Sequence, residues 1–278
     1  MAFIRKVEVT IGPKGGNGKK IDGLKIGFKI EKTDKPEPNT SKIQIYNLSE
    51  KTHNEICITG NHCTLKAGYK DEKVTAIFFG DVVKGTRTKS GNDFITELEV
   101  KDGRVALFAG QVSVSYAKDT DALTIVQDMI SAIGLPSKGT DLVSGTYPGS
   151  YSGIGQASVI LQEVLNKFSL RYTIQNEMIY ILNEEDPAES TGLKLTPETG
   201  LLTIPQPLVD KTKETDTAKD APNGWSFNTL LFPELIPGAS CEVESSTLNG
   251  VIKITKTVFS GDNWDGDFIA EIEGVAVK

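Results

Sequence analysis

Four residues, His53, Cys57, His62 and Cys63, lie close enough along the chain to suggest a zinc centre. Zinc needs donor atoms that converge on one point. His62 and Cys63 are neighbours in a run that reads as a strand, where adjacent side chains face opposite ways. No Cys-x-x-Cys pair is present to complete a set. The spacing therefore predicts a buried Cys63 beside an exposed His62. These are also the only two histidines, so a Ser-His-Asp hydrolase would have to recruit one of them, and there is no Gly-x-Ser-x-Gly elbow.

The glycine-rich stretch 12–20 (GPKGGNGKK) invites a phosphate-loop reading and fails it. The glycine required five residues before Gly18 is Pro13, Lys20 stands where Ser or Thr should hold magnesium, and no apolar helix follows. It reads as a hairpin tip. The acidic stretch 262–267 (DNWDGD) resembles a calcium loop, but its third position is Trp264 and no Glu follows at the required distance, so it reads as a hairpin turn. Carboxylate pairs for glycoside hydrolysis come from residues distant in sequence, and nothing singles out a pair here. The aromatic–basic neighbours Phe28-Lys29 and Tyr69-Lys70 are isolated, as on any amphipathic sheet, and make no platform for single-stranded nucleic acid. The expectation is therefore no catalytic, cofactor-binding or metal-ligating residue, no cofactor, and a protein that is not an enzyme.

The composition frames this. Of 278 residues, 38% are hydrophobic and 24% charged, which fits a globular chain of about two domains. The 27 glycines suggest many turns and hence many strands. With 37 acidic against 30 basic side chains the net charge is -7, which argues against a surface that grips nucleic acid or anionic lipid throughout. The start shows neither a basic n-region nor an apolar h-region, no window approaches the ~18 apolar residues of a membrane span, and three cysteines do not make a disulfide scaffold. Folding in a cytoplasm is expected.

The elements that would position any site change period along the chain. Leu24, Ile26, Phe28 and Ile30 alternate with Lys25, Gly27, Lys29 and Glu31, as in a half-buried strand. Residues 41–48, 63–69, 77–83 and 94–100 are similar runs, with a helical turn expected in 49–58. From Thr120, the spacing of Leu123, Val126, Ile130 and Ile133 predicts a helix capped by Asp119 or Thr120 and ended by Gly134. A loop is expected over 137–155. Ala157, Ile160, Leu161, Val164, Leu165 and Phe168 mark a second helix, and 170–174 with 178–182 flank a hairpin turn. Strands are expected again at 201–204, 225–231, 240–244, 251–257 and 268–277, with 210–223 a mobile surface loop. The predicted domains are 1–111, β-rich; 112–185, α+β with two helices and a hairpin; and 186–278, β-rich.

Certain phrases, in this order, resemble the baseplate hub proteins of tailed bacteriophages, the late-control or tail-hub proteins. They are SKIQIYNLS at 41–49, LKAGY at 65–69 and IFFGD at 77–81 for a first barrel. In the middle unit they are IGL at 133–135, FSLRYTI at 168–174 and YIL at 180–182. For a second barrel they are GLL at 200–202, PQP at 205–207 and LFPELIPG at 231–238. The resemblance implies a β-rich α+β fold with two tail-tube-like β-barrel domains around a small helix–helix–hairpin domain. It implies a homotrimer whose six barrels adapt the sixfold tail tube above to a threefold central spike below. The implied partners are the tube or tube-initiator protein, the spike, surrounding baseplate wedge proteins and passing DNA bound without specificity, with no stable membrane association. The implied location is the virion tail baseplate, after assembly in the host cytoplasm. The same resemblance fits the hub of a phage-derived contractile injection particle of the tailocin kind. The chain is short for the family and shows no lysozyme-like insertion, which sets it apart from a cell-wall-binding or cell-wall-degrading tail enzyme, the reading from another class. The acidic excess suits a conduit, because a basic lumen would hold phosphates and slow their passage.

Overall fold

The computed structural model describes residues 4–70, 74–183, 187, 189–208 and 224–277. Alternation of apolar and polar residues turns most of the chain into strands. The first part comprises β1 (Arg5–Gly12), β2 (Lys19–Ile21), β3 (Ile26–Thr33), β4 (Thr40–Tyr46), α1 (Glu50–Ile56), β5 (His62–Tyr69), β6 (Thr75–Ser90) and β7 (Asp93–Lys101). The middle comprises α2 (Arg104–Ala109), β8 (Gln111–Tyr116), α3 (Ala122–Ile133), β9 (Ser137–Lys138), β10 (Tyr151–Gln156), α4 (Ala157–Asn166), β11 (Leu170–Gln175) and β12 (Met178–Asn183). The last part comprises β13 (Glu189–Leu195), β14 (Gln206–Pro207), β15 (Trp225–Leu230), β16 (Ala239–Glu244), β17 (Asn249–Asp262) and β18 (Phe268–Ala276). The fold is β-rich with few helices, and no described helix is long and apolar enough to cross a membrane.

The first and last parts are one sheet of thirteen strands, in the order β14-β15-β18-β17-β3-β4-β7-β6-β5-β1-β2, with β16 also on β17 and β13 parallel to β16. The join is the antiparallel pair β3–β17, in register from Gly27 opposite Asp262 to Thr33 opposite Lys256. The path is open, and among the described residues no pairing closes either part on itself. Inward residues of both parts form one apolar core, including Val9, Ile30, Ile43, Phe78 and Val100 with Phe227, Ile254, Phe259 and Ile272. Each such side chain contributes about 1.5–3 kcal/mol on burial. A second core lies in the middle part, where α3 and α4 pack with β11 and β12 through Val126, Met129, Leu161, Leu165, Tyr172 and Ile181.

Several expectations are corrected. The cap of α3 is Asp121, without a side-chain hydrogen bond, because Asp119 takes a positive φ of 63° in the preceding turn and Thr120 bonds back to the Ala117 carbonyl. Gly134 ends α3 in the left-handed conformation, as the sequence predicts. The expected loop 137–155 holds β9, a 3₁₀ turn at Thr140–Leu142 and most of β10, whose partner is β8. The alternation Val112, Val114, Tyr116 that builds β8 is a period-2 pattern the sequence reading passes over. Residues 201–204 are not a strand: Leu201 makes one isolated bridge to Thr229, and Thr203 uses its hydroxyl to accept the Asn228 amide. The expected mobile loop 210–223 lies outside the described residues.

Candidate functional site

The residues that suggested zinc separate in space. His53 and Cys57 share one face of α1 at i, i+4, with Sγ 3.4 Å from Nδ1, and His53 Nδ1 also meets Thr96 Oγ1 at 3.1 Å. Cys63 points into the sheet core, where burial pushes its thiol up to about 12; Cys241 is raised likewise, and Cys57 in the same direction. At neutral pH these are thiols, poor ligands and poor nucleophiles. His62 is half-buried rather than exposed, and it faces a different set of residues.

That set lies where the β11–β12 hairpin meets the sheet. The hairpin turns through Asn176 and Glu177, both left-handed with φ of 55° and 60°, as a two-residue primed turn requires. Gly is the low-cost residue in the second position, so a Glu there is held by its surroundings. The Asn176 and Glu177 amides donate to Asp102 Oδ2 (2.6 Å) and Oδ1 (2.8 Å) at the end of β7. Asn176 Oδ1 in turn accepts from Lys32 Nζ at 2.7 Å. Lys32 is fully buried, in phase with the core residues Ile26, Phe28 and Ile30 of β3. Burial lowers the Lys32 pKa to about 8 and raises that of Asp102 to about 6, each softened by the charge of the other. At the far end of the hairpin Lys253 of β17, also buried, donates to the Asn183 carbonyl at 2.8 Å. Between these anchors Asn39 donates to the Ile174 carbonyl (2.6 Å), Gln175 donates to the Thr33 carbonyl (2.8 Å), and Arg171 pairs with Asp34.

Above the turn, the Glu177 carboxylate faces the tip of the first hairpin. Lys14 Nζ donates to Glu177 Oε1 at 2.9 Å, and the carboxylate raises the lysine's pKa. The glycine-rich stretch is a hairpin tip between β1 and β2. Gly12 and Gly18 bring the two backbones so close that a Cβ on Gly12 would stand 2.7 Å from the Gly18 Cα. His62 Nδ1 lies 3.7 Å from Asp81 Oδ1 and 3.7 Å from Glu177 Oε1, and the Asp81 carboxylate raises its pKa against the opposing effect of burial. The acidic stretch 262–267 is a turn between β17 and β18. Asp262 Oδ1 accepts the Trp264 and Asp265 amides at 2.7 and 2.6 Å, and Lys25 covers the charge of Asp262 and Asp265.

Sequence reasoning missed Lys14, Asp81, Asp102 and Glu177 as a group. They come from the first hairpin, β6, the end of β7 and the β11–β12 turn, so no local spacing links them. One signal was available: Lys32 continues the apolar alternation of β3 in the position where the pattern calls for a hydrophobe.

No family model and no curated protein sequence matches the chain. Its fold, however, is that of phage tail proteins. A 43 kDa tail protein of prophage MuSo2 from Shewanella oneidensis superposes with a TM-score of 0.67 at 11% identity, over 98% of each chain. A tail protein from Neisseria meningitidis MC58 gives 0.64 at 10% identity, over 97% of this chain and 96% of the other. The E. coli c3393 protein is described as a component of the type VI secretion system with structural similarity to the T4 tail proteins gp27 and gp5. It gives 0.58 at 11% identity, over 99% of this chain and 75% of its own. The resemblance read from the sequence is thus borne out at the level of the fold.

Proposed function

We propose that this protein is a structural hub of a phage tail baseplate, without catalysis. On this reading it is a homotrimer that joins the sixfold tail tube to the threefold central spike and lines the DNA channel. The observation that carries the reading is the superposition on two tail proteins over nearly their whole lengths. The chain then divides into a tube-like barrel, 1–111, an α+β domain, 112–185, and a second tube-like barrel, 186–278. The open sheet supports a ring: the outer edges of β2, β14 and β13 carry no described strand pairing within the chain, and an unpaired edge is stable when a neighbouring subunit covers it. In such a ring the net charge of -7 suits a channel through which DNA phosphates pass without being held. The c3393 likeness favours a second reading, the hub of a phage-derived contractile injection particle, built on the same fold; genomic neighbours separate the two.

Mass in solution tests the hub. A stable trimer of three 30.1 kDa chains, or a trimer formed on adding a spike protein, is the expected result. A chain that stays monomeric at high concentration with tube and spike proteins present overturns it. A strongly positive channel in the assembled ring would remove the conduit argument.

A further inference from the structure

His62, Asp81 and Glu177 bring one imidazole nitrogen and two carboxylates within 4.8 Å of one another, from β5, β6 and the β11–β12 turn. It is the one such group of three or more ligand-type side chains among the described residues. A first-row divalent ion with ligands at about 2.0–2.2 Å holds them roughly 3.3 Å apart, so the two 3.7 Å separations from His62 Nδ1 need to close by a few tenths of an ångström, and the carboxylates, within 4.8 Å of each other, by up to about 1.5 Å on the more accessible Glu177 side. His62 Nδ1 is shielded from solvent and has no hydrogen-bond partner, although a buried ring nitrogen in polar surroundings ordinarily finds one. Asp81 is 3% exposed, so two of the three donors lie in a low-dielectric setting where a cation is held strongly. A cation is already drawn to the place: the Lys14 ammonium sits on Glu177, carried on a side chain that is 57% exposed and can withdraw. Glu177 also occupies a backbone position where glycine costs least, so what it contributes is its carboxylate.

We propose that His62, Asp81 and Glu177 form a site for a divalent transition-type cation, with zinc the best match, and that Lys14 competes with the ion for it. Imidazole disfavours calcium and magnesium, while two carboxylates with one nitrogen suit zinc, leaving the fourth position to water. A bound ion would tie β5 and β6 to the hairpin turn and clamp the α+β unit on the sheet. This does not depend on the hub reading.

The test is zinc titration of the chelator-stripped full chain by calorimetry and thermal unfolding, with cobalt as a visible probe. A background carrying His53→Ala and Cys57→Ala removes the nitrogen–sulfur pair of α1. Expected are one ion per chain in wild type and background, a rise in Tm, and a cobalt spectrum without a thiolate band. His62→Ala and Glu177→Gln should each weaken binding about tenfold or more, and Lys14→Ala should tighten it. No binding at millimolar zinc, or binding that survives loss of His62 and Glu177, overturns the site. Should those variants fail to fold, Lys14→Ala decides: tighter binding supports the site and unchanged binding overturns it.

Discussion

Strands β3 and β17 run side by side through two environments. At Ile30 opposite Phe259 they are wholly apolar, inside the shared core. Further along, Lys32 and Lys253 are just as buried, and each reaches an asparagine of the β11–β12 hairpin. The core is held by apolar burial, which is strong and indifferent to direction. The seam is held by hydrogen bonds and charges in fixed geometry, worth little net but costly when one partner is lost. The difference shows how one sheet can gain its stability in one place and fix the angle of an attached unit in another.

The largest effect should come from the core. Phe259→Ala is expected to cost about 3–5 kcal/mol and to unfold both β-rich parts in one urea transition; two separated transitions would show that the parts do not share a core. Asp102→Ala should cost about 3 kcal/mol, since it orphans two turn amides and leaves Lys32 without its counter-charge. Here hydrogen exchange should quicken in β11 and β12 before the sheet, and unchanged protection there would show that the Asp102 seam does not hold the hairpin.

A graded effect is expected from pH. The folded Lys32 pKa, about 8, is below the ordinary 10.5, so its contribution to stability is present above 10.5 and lost as pH falls through 8. Wild type should therefore gain on Lys32→Met by on the order of 1–2 kcal/mol between pH 8 and 10, read from urea midpoints at each pH. A constant gap would mean that the folded Lys32 keeps an ordinary lysine pKa and stays charged across this range, as a solvated side chain does. The smallest effect has the opposite sign. Glu177→Gly should stabilise the metal-free protein by about 0.5–1 kcal/mol by relieving the positive φ, measured in the same way. A loss instead would show that the Lys14 contact outweighs the strain.

Much of the frame is legible because alternation reports a sheet face directly: Ile26, Phe28 and Ile30, and the helix face from Ala157 to Leu165, lie inward as their spacing predicts. The β3–β17 join is not legible, because pairing between strands so distant leaves no trace in either. Strand length also escapes the pattern. β6 runs from Thr75 to Ser90, beyond the apolar stretch, because its outer half pairs with β7 alone and buries little. The polar seam is hidden for a related reason. Asp102 and Glu177 look like ordinary turn residues until the fold sets one beneath the other.

The pairing of β3 with β17 also bears on how the chain is made. While the ribosome is still synthesising the middle of the protein, β3 can pair with β4 but its other edge waits for a strand that is on the order of ten seconds or more away. During that interval the nascent first sheet shows an open edge beside apolar residues to every neighbouring copy. Slow translation or high expression should thus favour aggregation before completion, and refolding of the whole chain should be slow because its central ladder closes a very long loop.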